Sequence, residues 1–202
     1  MIQTGNLMVS IYTEMTPNPE TMKFVANKLL FPGKSADFPT VESTTASPLA
    51  EELFSFPFVK GVFIASNFIT LTKDAEADWN DITPSIRQFL KEYLEDTSKE
   101  IINETLLNEQ KAAEQKTQST GDVNEDDVIV RIKELLENYV KPAVEMDGGA
   151  IQFKSFKDGR VNLMLQGSCS GCPSSMITLK SGIEGMMTRM IPEVKEVVAE
   201  AE

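Results

Sequence analysis

The chain has 202 residues, 41% of them hydrophobic and 25% charged, which suits either one large soluble domain or two small ones. Its net charge of -12 argues against nucleic acid, which needs clustered Lys and Arg, and disfavours anionic membrane surfaces. The lack of any histidine excludes Ser-His-Asp and Cys-His catalysis within one chain and removes the commonest metal ligand.

The opening "MIQTGNLMVSIYTEMTPNPE" has neither the Arg-rich amphipathic character of a transit peptide nor a basic region followed by an apolar core. No apolar run reaches about 18 residues. On this basis the chain is expected to be cytoplasmic. No G-x-x-x-x-G-K-[ST] phosphate loop occurs.

The elements follow in chain order. "LMVSIYTEM" (Leu7 to Met15) is rich in Val, Ile and Tyr and stops at Thr16-Pro17-Asn18-Pro19, a strand entering a turn. "TMKFVANKLLF" predicts a second strand. "SPLAEELFSF" predicts a short helix with Ser47 as N-cap and Pro48 at the first helical position. "VKGVFIASNFITLTK" reads as a hairpin around Ser66-Asn67. "DWNDITPSIRQFLKEYLED" predicts a helix with Ile86, Phe89, Leu90 and Tyr93 on one face and Trp79 half-buried. The first unit, residues 1–97, is therefore expected as β-β-α-β-β-α.

Residues 98–123 lack aromatics and proline and are rich in Gln, Glu, Lys and Thr, the composition of a linker with some helix at its start. The second unit, residues 124–202, opens with a helix capped at Asn124 or a neighbouring acid. Val128, Ile132, Leu135, Leu136, Tyr139 and Val140 recur along it at helical spacing. Pro142 should kink or shorten this helix, and Gly148-Gly149 reads first as its C-cap and secondarily as a site-shaping pair. "AIQFKSFKDGRVNLMLQG" predicts a hairpin around Asp158-Gly159. "SSMITLKSGIEGMMTRMI" predicts a helix with Ile177, Ile183, Met186, Met187 and Met190 available for the core, and "EVKEVVAE" a closing strand. The second unit is thus α-β-β-α-β, and the whole chain α+β.

The chain's two cysteines, Cys169 and Cys172, stand together in "QGSCSGCPSS", between a strand and a helix opened by Pro173. Unpaired N–H groups at such a helix start favour a thiolate, on the Cys172 side above all, and the neighbouring Ser and Gly residues let backbone N–H groups approach sulfur. A C-x-x-C pair serves metal or cluster binding, dithiol-disulfide exchange, or no chemistry at all. Spacing alone leaves all three open. Zinc and iron-sulfur sites need four ligands, and with no histidine the simplest completion is the same loop from a second copy around a two-fold axis. A zinc-bridged structural dimer would satisfy this as well. Against the redox reading stand the Ser-Gly between the cysteines and the missing βαβ context of a thioredoxin-like fold.

"MDGGAIQFKSFKDGRVNLMLQGSCSGCPSSMITLKSGIEGMMTRMIPEVKEVV", with "GSCSGCPSS", "TLKSGIE" and "PEV", closely resembles the C-terminal domain of NifU-like (Nfu-type) iron-sulfur cluster carriers. "TPNPETMKF" (Thr16 to Phe24) and "GVFIASNFITLTK" resemble the Nfu N-terminal domain. The resemblance implies a non-enzymatic scaffold or carrier, in which a homodimer holds one 4Fe-4S cluster between two C-x-x-C loops. The cluster would come from an upstream donor and pass to apo-protein clients; carriage of 2Fe-2S stays open. The ligands it implies are Cys169 and Cys172. Ala150 departs from the pattern, because many relatives follow the Gly pair with Asp. The first unit has no cysteine and is expected to serve client or partner recognition.

Overall fold

The computed structural model describes residues 8–108, 125–169 and 173–201, which form two α+β units, each with its own sheet and core. In the first unit β1 (Ile11–Met15), β2 (Thr21–Ala26), β3 (Phe31–Phe38), β4 (Val59–Ser66) and β5 (Phe68–Lys73) make an antiparallel sheet of order β1-β2-β5-β4-β3. Helices α1 (Pro48–Phe54) and α2 (Trp79–Glu95) cover one face. The expected order β-β-α-β-β-α gains a strand, because the stretch read as one strand from Thr21 to Phe31 ends at Ala26 and a new strand begins at Phe31. Pro32 and Gly33 obscure this strand in the sequence. Gly33 has φ +68 and the pairing with β4 shifts register between Phe31 and Ser35. An edge strand tolerates both, since one side of its backbone needs no ladder partner.

Several local expectations hold. Ser47 caps α1 by accepting from the Ala50 N–H at 3.1 Å, and Pro48 follows it at a position where a missing donor costs nothing. Ser66 adopts φ +41 at the β4–β5 turn. Ile86, Leu90 and Tyr93 on α2 are buried against the sheet, and full burial of an Ile or Leu contributes roughly 1.5–3 kcal/mol. Trp79 is half-buried against Phe24 and its indole N–H donates to the Pro19 carbonyl at 3.1 Å.

Where a linker is expected from residue 98, the chain instead continues onto the first core. Ser47 Oγ donates to the Ile101 carbonyl at 2.7 Å, Tyr93 donates to Glu100 at 2.7 Å, Asn103 N–H donates to Ala46 at 2.7 Å, and Leu107 is buried. Residues 109–124, including the expected cap Asn124, lie outside the described residues.

The second unit runs α3 (Glu125–Leu135), α4 (Lys141–Met146), β6 (Gly149–Lys157), β7 (Arg160–Gly167), α5 (Pro173–Met190) and β8 (Glu196–Ala201). The sheet order is β6-β7-β8, with β6–β7 antiparallel and β7–β8 parallel, so β7-α5-β8 is a βαβ unit with the cysteines at its first crossing; the expectation that βαβ context is missing does not hold, because a parallel pairing of β7 with β8 is a tertiary fact. Asp158 (φ +53) and Gly159 (φ +86) form the tight turn of the β6–β7 hairpin, as their dipeptide predicts. Pro142 acts differently from a simple kink. Having no N–H for the carbonyl four residues back, it follows a π-helical turn, Leu136–Val140, in which Lys141 N–H reaches back to the Leu136 carbonyl. The wide turn rotates Tyr139 out to 60% exposure, against the expectation that it joins the core. In α5 Ile183 and Met187 are buried, while Ile177 (67% exposed) and Met190 point outward; Met176 and Leu179 pack on the core instead.

The two units meet. Along β2, β3, β4 and β5 alternate side chains face opposite sides of the first sheet. Phe24, Ala36, Val62, Ile64, Ile69 and Leu71 join the helix-covered core, whereas Val25, Phe63, Ala65 and Phe68 form a separate apolar cluster with Ala150 of β6. Polar contacts between described residues border that cluster. Thr70 Oγ1 donates to the Gly148 carbonyl at 2.7 Å, Lys23 Nζ to the Met146 carbonyl at 3.3 Å, Asn18 Nδ2 to the Ser168 carbonyl at 3.5 Å, and Gly167 N–H donates to Asp37 Oδ2 at 3.1 Å.

Candidate metal centre

The end of β7 positions Cys169. Gly167 closes the strand with φ +68, opposite Gly149 at the start of β6, and Ser168 and Cys169 turn away from it. The Gly148-Gly149 pair does two jobs at once. Gly148 (φ +81) follows the C-cap of α4, with its N–H bonded to the Glu145 carbonyl at 3.1 Å, so the capping expectation holds. Gly149 also shapes the site: a Cβ there would stand 2.6 Å from the Gln166 carbonyl oxygen and 3.0 Å from Cys169 Sγ. Only a residue without a side chain leaves room for that sulfur.

Cys169 is 5% exposed and packs in the second core. Ser168 Oγ lies 3.9 Å from its sulfur and donates to the Asp147 carbonyl, while Ser168 N–H donates to the Gly148 carbonyl at 3.3 Å. Burial pushes the Cys169 thiol above its ordinary range; the Ser168 hydroxyl pulls the other way, and the nearby Asp147 charge adds to the upward push. The expected thiolate preference therefore does not extend to Cys169. It sits before the loop reaches the helix start, where desolvation outweighs the helix dipole.

Cys172, on which the thiolate expectation chiefly fell, lies outside the described residues. Among the described residues no group of three or more Cys, Asp or Glu side chains is gathered as a metal cage, and the chain has no histidine. A set of four ligands therefore has no evident source within these residues beyond the C-x-x-C pair.

Sequence reasoning did not find the surroundings of this site on the first unit: Asn18, Lys23, Asp37, Phe63 and Thr70. One signal was present. "VFIA" (Val62 to Ala65) is an unbroken apolar run, and a strand that reads so is buried on both faces.

Two family descriptions match along the chain: "Scaffold protein Nfu/NifU N terminal" over residues 11–99 and "NifU-like domain" over residues 132–198. A human protein named "NFU1 iron-sulfur cluster scaffold homolog, mitochondrial" is 41% identical over 93% of this chain and 70% of its own length. The chain belongs to the Nfu-type NifU-like family. "NifU-like protein 4, mitochondrial" of Arabidopsis thaliana is 40% identical to this Nfu-type chain over 94% of it, and a Drosophila willistoni relative is 38% identical over 98%. The chain spans 65% of the length of each of these two relatives. Among solved structures, a NifU-like protein from Saccharomyces cerevisiae matches with TM-score 0.43 at 27% identity, over 50% of this chain and 90% of that one.

The names of these relatives overturn the expectation of a cytoplasmic protein, since the human, fly and plant proteins are all named as mitochondrial. The physical reason is plain. Compartment is decided by address segments that are read separately from folded units, so the composition of an Nfu-type core carries no information about it.

Proposed function

We propose that this chain is a non-enzymatic carrier of iron-sulfur clusters, in which Cys169 and Cys172 of two copies supply four thiolates to one 4Fe-4S cluster. The observation that carries the reading is the ligand deficit. The chain's two cysteines share one strand-to-helix loop, and no further thiol, imidazole or gathered carboxylates accompany Cys169 among the described residues. A two-fold axis completes such a set with the fewest assumptions. The relatives' names, which describe iron-sulfur cluster scaffolds, support the same cargo.

In this reading cargo moves by ligand exchange. A client thiolate forms a bond to an iron as the Cys169 or Cys172 thiolate leaves the same iron, so no electron changes hands and no substrate bond is made catalytically. The buried, protonation-favouring setting of Cys169 is compatible with such a role, because iron binding itself displaces the thiol proton. A redox nucleophile, by contrast, must carry its thiolate before reaction. The first unit, with no cysteine, is assigned to recognition of clients or of the upstream donor.

Anaerobic reconstitution with iron and sulfide, followed by iron and sulfide counts and native mass, tests the reading. About two irons and two sulfides per chain in a dimer support a bridging 4Fe-4S cluster. A colourless monomer that cycles between dithiol and disulfide overturns it.

A further inference from the structure

Four hydrogen bonds between the two units share an asymmetry. In these four the first unit supplies side chains, of Asn18, Lys23, Asp37 and Thr70, and the second unit main-chain atoms, of Ser168, Met146, Gly167 and Gly148. Three of those side chains, Asn18, Lys23 and Thr70, are buried, and each has a partner, as buried polar groups require. Lys23 is additionally held by Glu14 at 3.1 Å and lies over the Phe68 ring at 4.6 Å. The four anchored positions bracket the cysteine from both strands, since Met146 and Gly148 precede β6 and Gly167 and Ser168 lead into Cys169. The approach is close: a Cβ on Gly148 would stand 2.9 Å from Thr70 Oγ1, and one on Gly167 3.0 Å from the Phe63 ring.

We propose that the outer face of the first sheet is a clamp on the cysteine-bearing end of the second unit. While docked, it holds the end of β7 so that Cys169 stays tucked beneath Gly149; when released, it lets the thiol turn outward. Cys169 cannot move out unless Gly167 and Ser168 move with it, and these two residues are held by Asp37 and Asn18 and packed against Phe63. A thiol that is 5% exposed is out of reach of a donor, a client or a second copy, so release precedes any of those encounters. The first unit thereby gains a role in gating its own neighbour, apart from any partner it recognises. The bearing of the clamp on cluster loading rests on the carrier reading above. Its existence does not.

The test uses metal-free full-length protein, so failure of the clamp and failure of the carrier reading are separable. The Gly167 amide is the reporter, because its hydrogen bond goes to Asp37 across the interface. Its exchange rate is followed by NMR, alongside the alkylation rate of Cys169 resolved by peptide mass spectrometry. Ala150→Asp places a carboxylate in the apolar cluster of Val25, Phe63, Ala65 and Phe68 and should raise both rates by roughly a hundredfold. Thr70→Val, isosteric and lacking one hydrogen bond, should raise both by about fivefold. Amides of α2 and of β7 at Val161 report that each unit stays folded; if Ala150→Asp disturbs them, Thr70→Val decides. Unchanged rates in the folded variants overturn the clamp. Faster Gly167 exchange with unchanged Cys169 alkylation also overturns it, since the units would then dock without restraining the thiol.

Discussion

The hydroxyl of Thr70 lies 2.7 Å from the carbonyl oxygen of Gly148, a residue 78 positions later in the chain and in the other unit. The same carbonyl accepts from Ser168 N–H, so a single oxygen ties the first sheet, the end of α4 and the start of the cysteine loop. Such a shared acceptor makes the loop sensitive to events on a surface it does not belong to.

Gly148→Ala is expected to destabilise the full chain by about 1–3 kcal/mol, from φ +81 and from the contact of its Cβ with Thr70 Oγ1. Thermal unfolding measures the loss. In the Thr70→Ala background the closest clash is removed while the 3.3 Å approach to Thr16 Cγ2 and the backbone strain remain, so the penalty becomes smaller without disappearing, and a double-mutant cycle isolates the Thr70 part.

Gly149→Ala should be worse for function than for fold. Its Cβ would meet a backbone oxygen at 2.6 Å, which cannot step aside, and Cys169 Sγ at 3.0 Å, which must. Iron content after reconstitution should fall well below that of the unmodified chain. Gly182→Ala and Gly185→Ala in α5 form the control, because nothing stands near their Cβ positions and each should gain up to about 1 kcal/mol of helix stability. Equal iron content in all three variants would remove Gly149 from the site.

Cys169→Ala and Cys172→Ala are each expected to abolish stable cluster binding, since either leaves two thiolates per dimer. Absorbance after anaerobic reconstitution reads the loss. A full cluster in either variant would rule out four-thiolate ligation.

The raised Cys169 thiol sets a pH window for the metal-free protein. Because the folded state favours the protonated form, its contribution is fully present below the thiol's ordinary value of 9.0 and is lost as pH climbs through the higher folded value. The melting temperature of the wild type should therefore fall above about pH 9 more steeply than that of Cys169→Ala. Tyr93 acts in a later window. Burial, with the charges of Glu52, Glu100 and Asp96, pushes its phenol up to about 12, so its contribution is kept below its ordinary 10.0 and lost towards 12. Ultraviolet titration should show an ionisation near that value that Tyr93→Phe lacks.

Much of the fold is legible where one residue decides one turn. Ser47 with Pro48 announces α1, Asp158-Gly159 announces the β6–β7 hairpin, and both appear where expected. β3 was illegible because Pro32 and Gly33 are strand breakers unless the strand lies at an edge, and edge position is a tertiary fact. Tyr139 and Ile177 went astray for a related reason. Periodicity assigns a face only while the helix keeps its pitch and its neighbours are known, and a π-helical turn breaks the pitch just before Pro142. Of the cysteine loop, the described part is its entry, and that Cys169 follows the end of β7 was legible from residue types. Its attachment to the first sheet was visible only as the run from Val62 to Ala65, which says that a second face is covered and not by what.

In the four hydrogen bonds that join the clamp to the second unit, the second unit contributes carbonyls and an amide, groups that any residue at those positions except proline would supply. The strength of these bonds is set by Asn18, Lys23, Asp37 and Thr70. Side chains around the cysteines can thus change without removing the partners of these four bonds, and the four bonds can be retuned without touching a cysteine. Two properties that share one narrow piece of structure are, in this protein, separately adjustable.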